Sequence, residues 1–148
     1  MAKERKVGYD LDGTICEKSE INKKYMYCSG EERKQYKLIR EYHMKTAKLV
    51  LKPKEEEYYI ITSRKPENRS VTMQWLLRAN LKPLKVYFMD SPRKRTNMIK
   101  YKADLINKLN LVKYYEDDEK IAKSLKRKCP FTQIKLIKPS ISKYVLKS

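Results

Sequence analysis

Lys6-Val7-Gly8-Tyr9-Asp10-Leu11-Asp12-Gly13-Thr14 is a short apolar alternation that runs into two carboxylates and a turn. Val7 and Tyr9 predict a strand over residues 6–10, and Asp12-Gly13 supplies the turn that ends it. After a polar stretch, Tyr36, Ile39, His43, Ala47 and Val50 recur three or four residues apart, the spacing of one helical face, which predicts a helix over 31–51 closed by Pro53. A β-rich run at 57–62 predicts the second strand. A helix follows from Pro66, where proline suits a first turn, with Val71, Trp75 and Ala79 as its inner stripe. Downstream come a strand at 84–89, a helix at 96–110, a strand at 112–116, a helix at 118–128 and a strand at 132–137.

Five strands alternating with four helices imply an α/β fold, because parallel neighbours need crossover helices. The expected architecture is a Rossmann-like three-layer sandwich on a mainly parallel five-stranded sheet. With 148 residues and 17.8 kDa there is room for a single domain over 1–148, its core at about 6–137 and a short basic C-terminal tail beyond. No repeat or low-complexity run interrupts it. No window approaches the ~18 uncharged apolar residues of a membrane span, and the charged N-terminus has no apolar segment behind it, so neither a membrane nor secretion by a standard signal is expected. Cys16, Cys28 and Cys129 are odd in number and widely spaced, which argues against a disulfide framework or a zinc site and suits a reducing cytoplasm.

In such folds ligands bind at the carboxyl ends of the strands. Asp10 and Asp12 fall there after the first strand, Thr62, Ser63 and Arg64 after the second, and Glu116, Asp117 and Asp118 after the fourth. Neither a dinucleotide fingerprint nor a P-loop is present. Several carboxylates around one crevice need neutralising, and a hard divalent cation with oxygen ligands, Mg²⁺, does so while leaving positions for water or phosphate oxygens. A calcium loop beginning at Asp10 would need a glutamate where Ile21 stands.

The helix over 96–110 adds an independent clue. At about 100° per residue, Lys102 lies in the middle of the apolar stripe of Met98, Leu105, Ile106 and Leu109, whereas Lys100 faces the other way. A lysine in that position either snorkels past the helix end or reaches into the crevice as a phosphate-holding cation. His43 lies within an inner stripe without a second metal-ligand partner and is read as packed. Cys16 has no identifiable partner base and is read as a small structural residue.

The charge is strongly basic, 36 Lys plus Arg against 18 Asp plus Glu for a net +18. It is spread as +4 over residues 1–50 and +7 over each of the remaining thirds, so it describes a surface rather than a tail. Such a surface draws polyanions, and nucleic acid is the commonest inside cells. The alternative is compositional: 27 of the basic residues are lysine, and lysine enrichment can follow coding bias.

Taken together, these residues resemble the haloacid-dehalogenase-like superfamily. Residues 7–14 are similar to its first motif, a strand ending in D-x-D-G-T; Ile60-Ile61-Thr62 is similar to its second, Lys102 to its third, and Tyr115-Glu116-Asp117-Asp118 to its fourth. The resemblance implies a phosphatase with little or no cap beyond a hairpin-like flap within 15–31, hence an open site. It further implies phosphoryl transfer through an aspartyl phosphate, with Asp10 as nucleophile and Asp12 as general acid and base. Mg²⁺ would be held by the Asp10 carboxylate, the Asp12 carbonyl and Asp117, with Asp118 in direct or water-mediated support. Thr62 and Lys102 would hold the transferring oxygens.

Thr62-Ser63-Arg64, with the later Arg69 and Trp75-Leu76, looks most like the phosphatase domains of phage polynucleotide kinase-phosphatases. That makes Ser63 and Arg64 substrate contacts and a nucleic-acid end, such as a 3′-phosphate, the implied substrate. The deoxyribonucleotidase branch is also similar, which keeps free nucleotides as an alternative. An inactive nucleic-acid-binding protein of the same fold is the alternative of another class, and the complete motif set stands against it.

Overall fold

The computed structural model describes residues 5–21, 25, 28–138 and the backbone of 141–142. Its strands are β1 (Val7–Tyr9), β2 (Lys18–Ser19), β3 (Tyr58–Ile61), β4 (Lys85–Tyr87), β5 (Lys113–Glu116), β6 (Gln133–Leu136) and β7 (Ile141–Ser142). The helices among the described residues are α1 (Gly30–Thr46), α2 (Arg69–Arg78), α3 (Arg95–Lys108) and α4 (Glu119–Lys128), with a single 3₁₀ turn (Pro66–Asn68) leading into α2.

Five strands form one sheet in the order β4-β3-β1-β5-β6, every pairing parallel. The predicted α/β class holds, and the sheet is parallel throughout. β1 lies at its centre, Val7 opposite Tyr58 on one side and Lys113 on the other. A central parallel strand is covered on both faces, and here alternate residues divide between two cores. Val7, Tyr9, Tyr58, Ile60 and Tyr115 join Trp75 and Leu76 of α2 and Ala47, which follows α1; Ile61, Tyr114 and Ile134 join Ala103 and Ile106 of α3 and Ile121 and Leu125 of α4. The result is the three-layer arrangement. Gly8 faces the second core, where an added Cβ would come within 2.6 Å of the Leu111 side chain, so any larger residue there would force Leu111 to shift.

The chain winds from β1 to β3 and β4, then returns to the opposite side of β1 as β5 and β6. The strand order therefore reverses between β1 and β5, and a crevice opens at their carboxyl ends.

The end of α1 differs most from the sequence expectation. α1 stops at Thr46 rather than 51, because the chain from Ala47 turns extended and pairs with the loop after β1: Val50 N donates to Ile15 O (2.8 Å), and Lys48 N to Glu17 Oε1 (3.1 Å). Tertiary pairing thus overrides local periodicity, and Val50, expected inside, is exposed. In α2 the buried face is Thr72, Trp75 and Leu76, while Val71 and Ala79 are half-buried. The segment read as a basic tail returns as β7 to pair in parallel with β2, outside the main sheet. Within 15–31, where a hairpin-like flap is expected, residues 22–24 and 26–27 lie outside those described. No helix of the described residues is long and apolar enough to cross a membrane.

Candidate active site

Asp10 directly follows β1, and its N–H still donates to Tyr115 O of the neighbouring strand (2.9 Å), so the carboxylate is fixed by the sheet itself. The next residues wind tightly: the amides of Thr14, Ile15 and Cys16 converge on Leu11 O, and Gly13 N donates to Cys16 O. Gly13 has φ +84°, and any Cβ there would collide with the Asp117 carboxylate. Glycine is required on both counts. This turn aims Asp12 toward β3 while Asp10 stays beside β5.

Around Asp10 the chain assembles a buried, mostly acidic cluster. One carboxylate oxygen each from Asp10, Glu116 and Asp117 can be chosen so that all lie within 4.8 Å of one another. Lys102 enters from α3, 2% exposed, and bridges two of them, donating to Glu116 Oε1 (2.7 Å) and Asp10 Oδ1 (3.2 Å). Burial alone would discharge this ammonium, but Asp10 and Glu116 hold its pKa well above the ordinary value. Glu116 has both oxygens engaged, the second accepting from Asp117 N and Asp118 N (3.1 and 3.2 Å). Burial and the Asp10 charge raise its pKa, against Lys102.

Asp117 is the least compensated of the three. Burial, Asp10's charge and a shared hydrogen bond with Asp10 push its pKa up to about 9, opposed by Lys18 of β2 at 3.3 Å. A pocket with more carboxylate than cation, one member of which retains a proton at neutral pH, could hold a hard divalent cation. Asp10 and Asp117 are the residues with oxygens left to offer it, and Glu116 holds Lys102 and the 117–118 backbone in place.

A second ion pair stands beside the first. Arg64, 3% exposed, grips Asp12 with two parallel hydrogen bonds (Nε to Oδ2, 2.9 Å; Nη2 to Oδ1, 2.7 Å) and donates its third to Thr72 Oγ1 (2.8 Å). Burial works against the Asp12 charge, yet Arg64, with smaller contributions from Arg93 and Arg40, lowers its pKa far below the usual carboxylate range. Thr62 is buried at the end of β3, and its Oγ1 accepts from Arg64 N (3.1 Å). Ser63 is buried between them in sequence. Thr14 Oγ1 is buried without a hydrogen-bond partner among the described residues.

The structure therefore gathers Asp10, Asp12, Thr62, Arg64, Lys102 and Asp117 at one sheet edge. Asp118 is differently employed: its Oδ1 caps α4 by accepting from Ile121 N (3.0 Å), and Arg95 lies 3.7 Å from its other oxygen. The sequence places Glu116 at the strand end and within the fourth motif without giving it a role, and motif reading misses Thr72 and Lys18 altogether. Period-two alternation along β5 marks Glu116 as inward-facing; the sequence carries no comparable signal for Thr72 or Lys18. Cys16 is buried 3.7 Å from Asp12, where burial and that carboxylate keep its thiol protonated, as a structural residue requires. His43 packs at the end of α1 with Nε2 3.0 Å from Glu17 O.

No protein-family model matches the sequence, and no curated protein matches it. Among solved structures the chain is similar to one in "Structure of the Pnkp1/Rnl/Hen1 RNA repair complex", with a TM-score of 0.57 and 12% identity. The likeness covers 97% of this chain and 43% of the other, so the chain spans less than half of the protein it resembles. At this identity the shared property is the fold.

Proposed function

We propose that this protein is a Mg²⁺-dependent phosphomonoester hydrolase of the haloacid-dehalogenase-like type, acting on phosphorylated nucleic-acid ends such as a 3′-phosphate. The observation that carries the reading is Lys102, buried in the crevice and bridging Asp10 and Glu116 beside the proton-retaining Asp117. A purely structural core has no use for three carboxylates and a lysine at a strand switch point, since such a cluster is costly to bury.

In this reading an Asp10 oxygen attacks phosphorus as the bond to the leaving oxygen breaks, and the leaving oxygen takes a proton from Asp12. Asp12, now ionised, accepts a proton from water as that water attacks the aspartyl phosphate; phosphate departs and Asp10 is regenerated. Mg²⁺ held by Asp10, Asp117 and the Asp12 carbonyl would offset the repulsion between phosphate and carboxylate. Lys102 and Thr62 hold the phosphoryl oxygens, where charge spreads in the transition state.

Arg64 gives Asp12 its two states. Paired with Arg64, Asp12 is ionised, the form needed to activate water. A phosphate dianion entering beside them draws the guanidinium toward itself and places a negative neighbour against Asp12, and both effects raise its affinity for a proton. The substrate thereby prepares its own general acid.

The choice of nucleic acid over free nucleotide is supported by the net charge of +18 and by the fold likeness to a chain of an RNA repair complex. The test is phosphate release with Mg²⁺ or chelator from 3′- and 5′-phosphorylated oligonucleotides, mononucleotides and sugar phosphates. Metal-dependent release favouring an oligonucleotide end is the expected result. Release from mononucleotides without an oligonucleotide preference would move the substrate to free nucleotides. No release from any phosphomonoester would leave a non-catalytic binding protein.

A further inference from the structure

Next to the Asp12–Arg64 pair lies a cleft of about 260 Å³ that the proposed chemistry does not use. Its walls come from three separate parts of the chain: Arg33 and Arg40 on one face of α1 with Tyr25, Lys65 at the entry to α2, and Arg93 before α3. Four cations face a single carboxylate, Glu67, and among the described residues none of the four forms an ion pair.

The cluster is built rather than incidental. Arg33 and Arg40 hold their guanidinium carbons 4.3 and 5.2 Å from the centre of the Tyr25 ring, and Arg33 also donates to Tyr25 O (2.9 Å). Arg93 Nε is shielded from solvent with no hydrogen-bond partner among the described residues. A buried donor without an acceptor, among like charges, is unfavourable until an acceptor arrives. Burial and the charge of Arg93 both act against the Arg40 cation, so an anion in the cleft would relieve the two together. The cleft also adjoins the reacting centre, since Arg93 and Arg40 are near enough to lower the pKa of Asp12.

We propose that this arginine cleft binds the internucleotide phosphate next to the terminal phosphate, so that the enzyme takes a polynucleotide end in preference to a single nucleotide. Planar guanidiniums converging from separate elements suit phosphate oxygens, which they can bind in pairs. The volume is below the ~300–1,000 Å³ typical of a site that encloses a whole small molecule. It suits one phosphodiester on a strand that continues outward over the basic surface. The inference depends on the phosphatase reading for what occupies the Asp10 side, and on the cleft alone for what lies beside it.

Two measurements separate those dependencies. The first is binding without turnover: fluorescence anisotropy of a labelled single-stranded oligonucleotide with a 3′-phosphate, in chelator, across a salt series. Arg40→Gln and Arg93→Gln should each weaken binding about tenfold or more, the range for losing a charged hydrogen bond, and reduce the slope of log affinity against log salt by about 0.7. Arg33→Gln, whose charge does not bear on Asp12, should do the same to a lesser degree. The second is phosphate release with Mg²⁺ from that oligonucleotide, its 3′-mononucleotide and p-nitrophenyl phosphate. In Arg33→Gln, KM should rise for the oligonucleotide alone, with kcat/KM for the small esters within about twofold of the parent protein.

Unchanged oligonucleotide affinity and salt slope in all three variants would overturn the cleft proposal. So would equal losses on the oligonucleotide and p-nitrophenyl phosphate by Arg33→Gln. Weakened binding in a protein that hydrolyses none of the esters would instead overturn the phosphatase reading and uphold the cleft as a nucleic-acid phosphate site.

Discussion

The two halves of the crevice are opposites in charge. On the β5 side, Asp10, Glu116 and Asp117 outnumber Lys102 and the partly exposed Lys18, and Asp117 keeps a proton as a result. On the β3 side, Asp12 is satisfied by Arg64 and surrounded by further arginines, so its carboxyl is strongly ionised. Asp117 and Asp12, facing one crevice from its two sides, are thereby set to very different proton affinities. The first half lacks positive charge and the second lacks negative charge, which are the deficits that a divalent cation and a phosphorylated strand would fill.

The severest way to break this contrast is Asp10→Asn, which keeps the shape and removes the attacking oxygen's charge. Phosphate release should drop to background in a continuous phosphate assay, with an unchanged circular dichroism spectrum. Asp12→Asn should cost about 10²–10⁴-fold in kcat, the usual worth of a general acid and base. Lys102→Met leaves two buried carboxylates facing each other and should destabilise the metal-free protein by about 3–5 kcal/mol in urea unfolding. Mg²⁺ should recover part of that loss.

The acidic half should also announce itself through pH. Asp117 rises from an ordinary 3.8 to about 9 in the folded protein, so between roughly those values the unfolded chain binds fewer protons than the folded one. Stability of the metal-free protein therefore falls from this group as pH rises across that window. Thermal melts from pH 5 to 9 should show the decline, flattened by Asp117→Asn or by saturating Mg²⁺. For the same reason cation uptake displaces a proton, and Mg²⁺ affinity by calorimetry should tighten by up to about tenfold per pH unit below about 9.

Sequence reading reached the five-stranded α/β sheet because the strands are short β-rich runs and each of the first four is followed by a helix, a local pattern. It reached Lys102 because one lysine inside an apolar stripe violates that pattern. Most of what it missed depends on residues distant in sequence. The end of α1 is set by pairing of 47–51 with the loop after β1, although no helix breaker occurs before Pro53. Asp118 reads as a partner of Asp117, yet as the residue before α4 it turns its side chain onto that helix's amides. Lys18 and Thr72 enter the site only because β2 and α2 are folded over it, and the arginine cleft joins positions from Tyr25 to Arg93 that no spacing rule connects.

The central claim, that the cation-poor half holds Mg²⁺ while Asp10 takes the phosphoryl group, can be tested without knowing the substrate. Trifluoroberyllate mimics a phosphoryl group on a carboxylate, and its bound fluorines are resolved by ¹⁹F NMR. Protein mixed with beryllium fluoride should give bound resonances that require Mg²⁺, vanish in Asp10→Asn and persist in Asp118→Asn. Absence of bound resonances in the parent protein with Mg²⁺, or their survival in Asp10→Asn, would contradict the account.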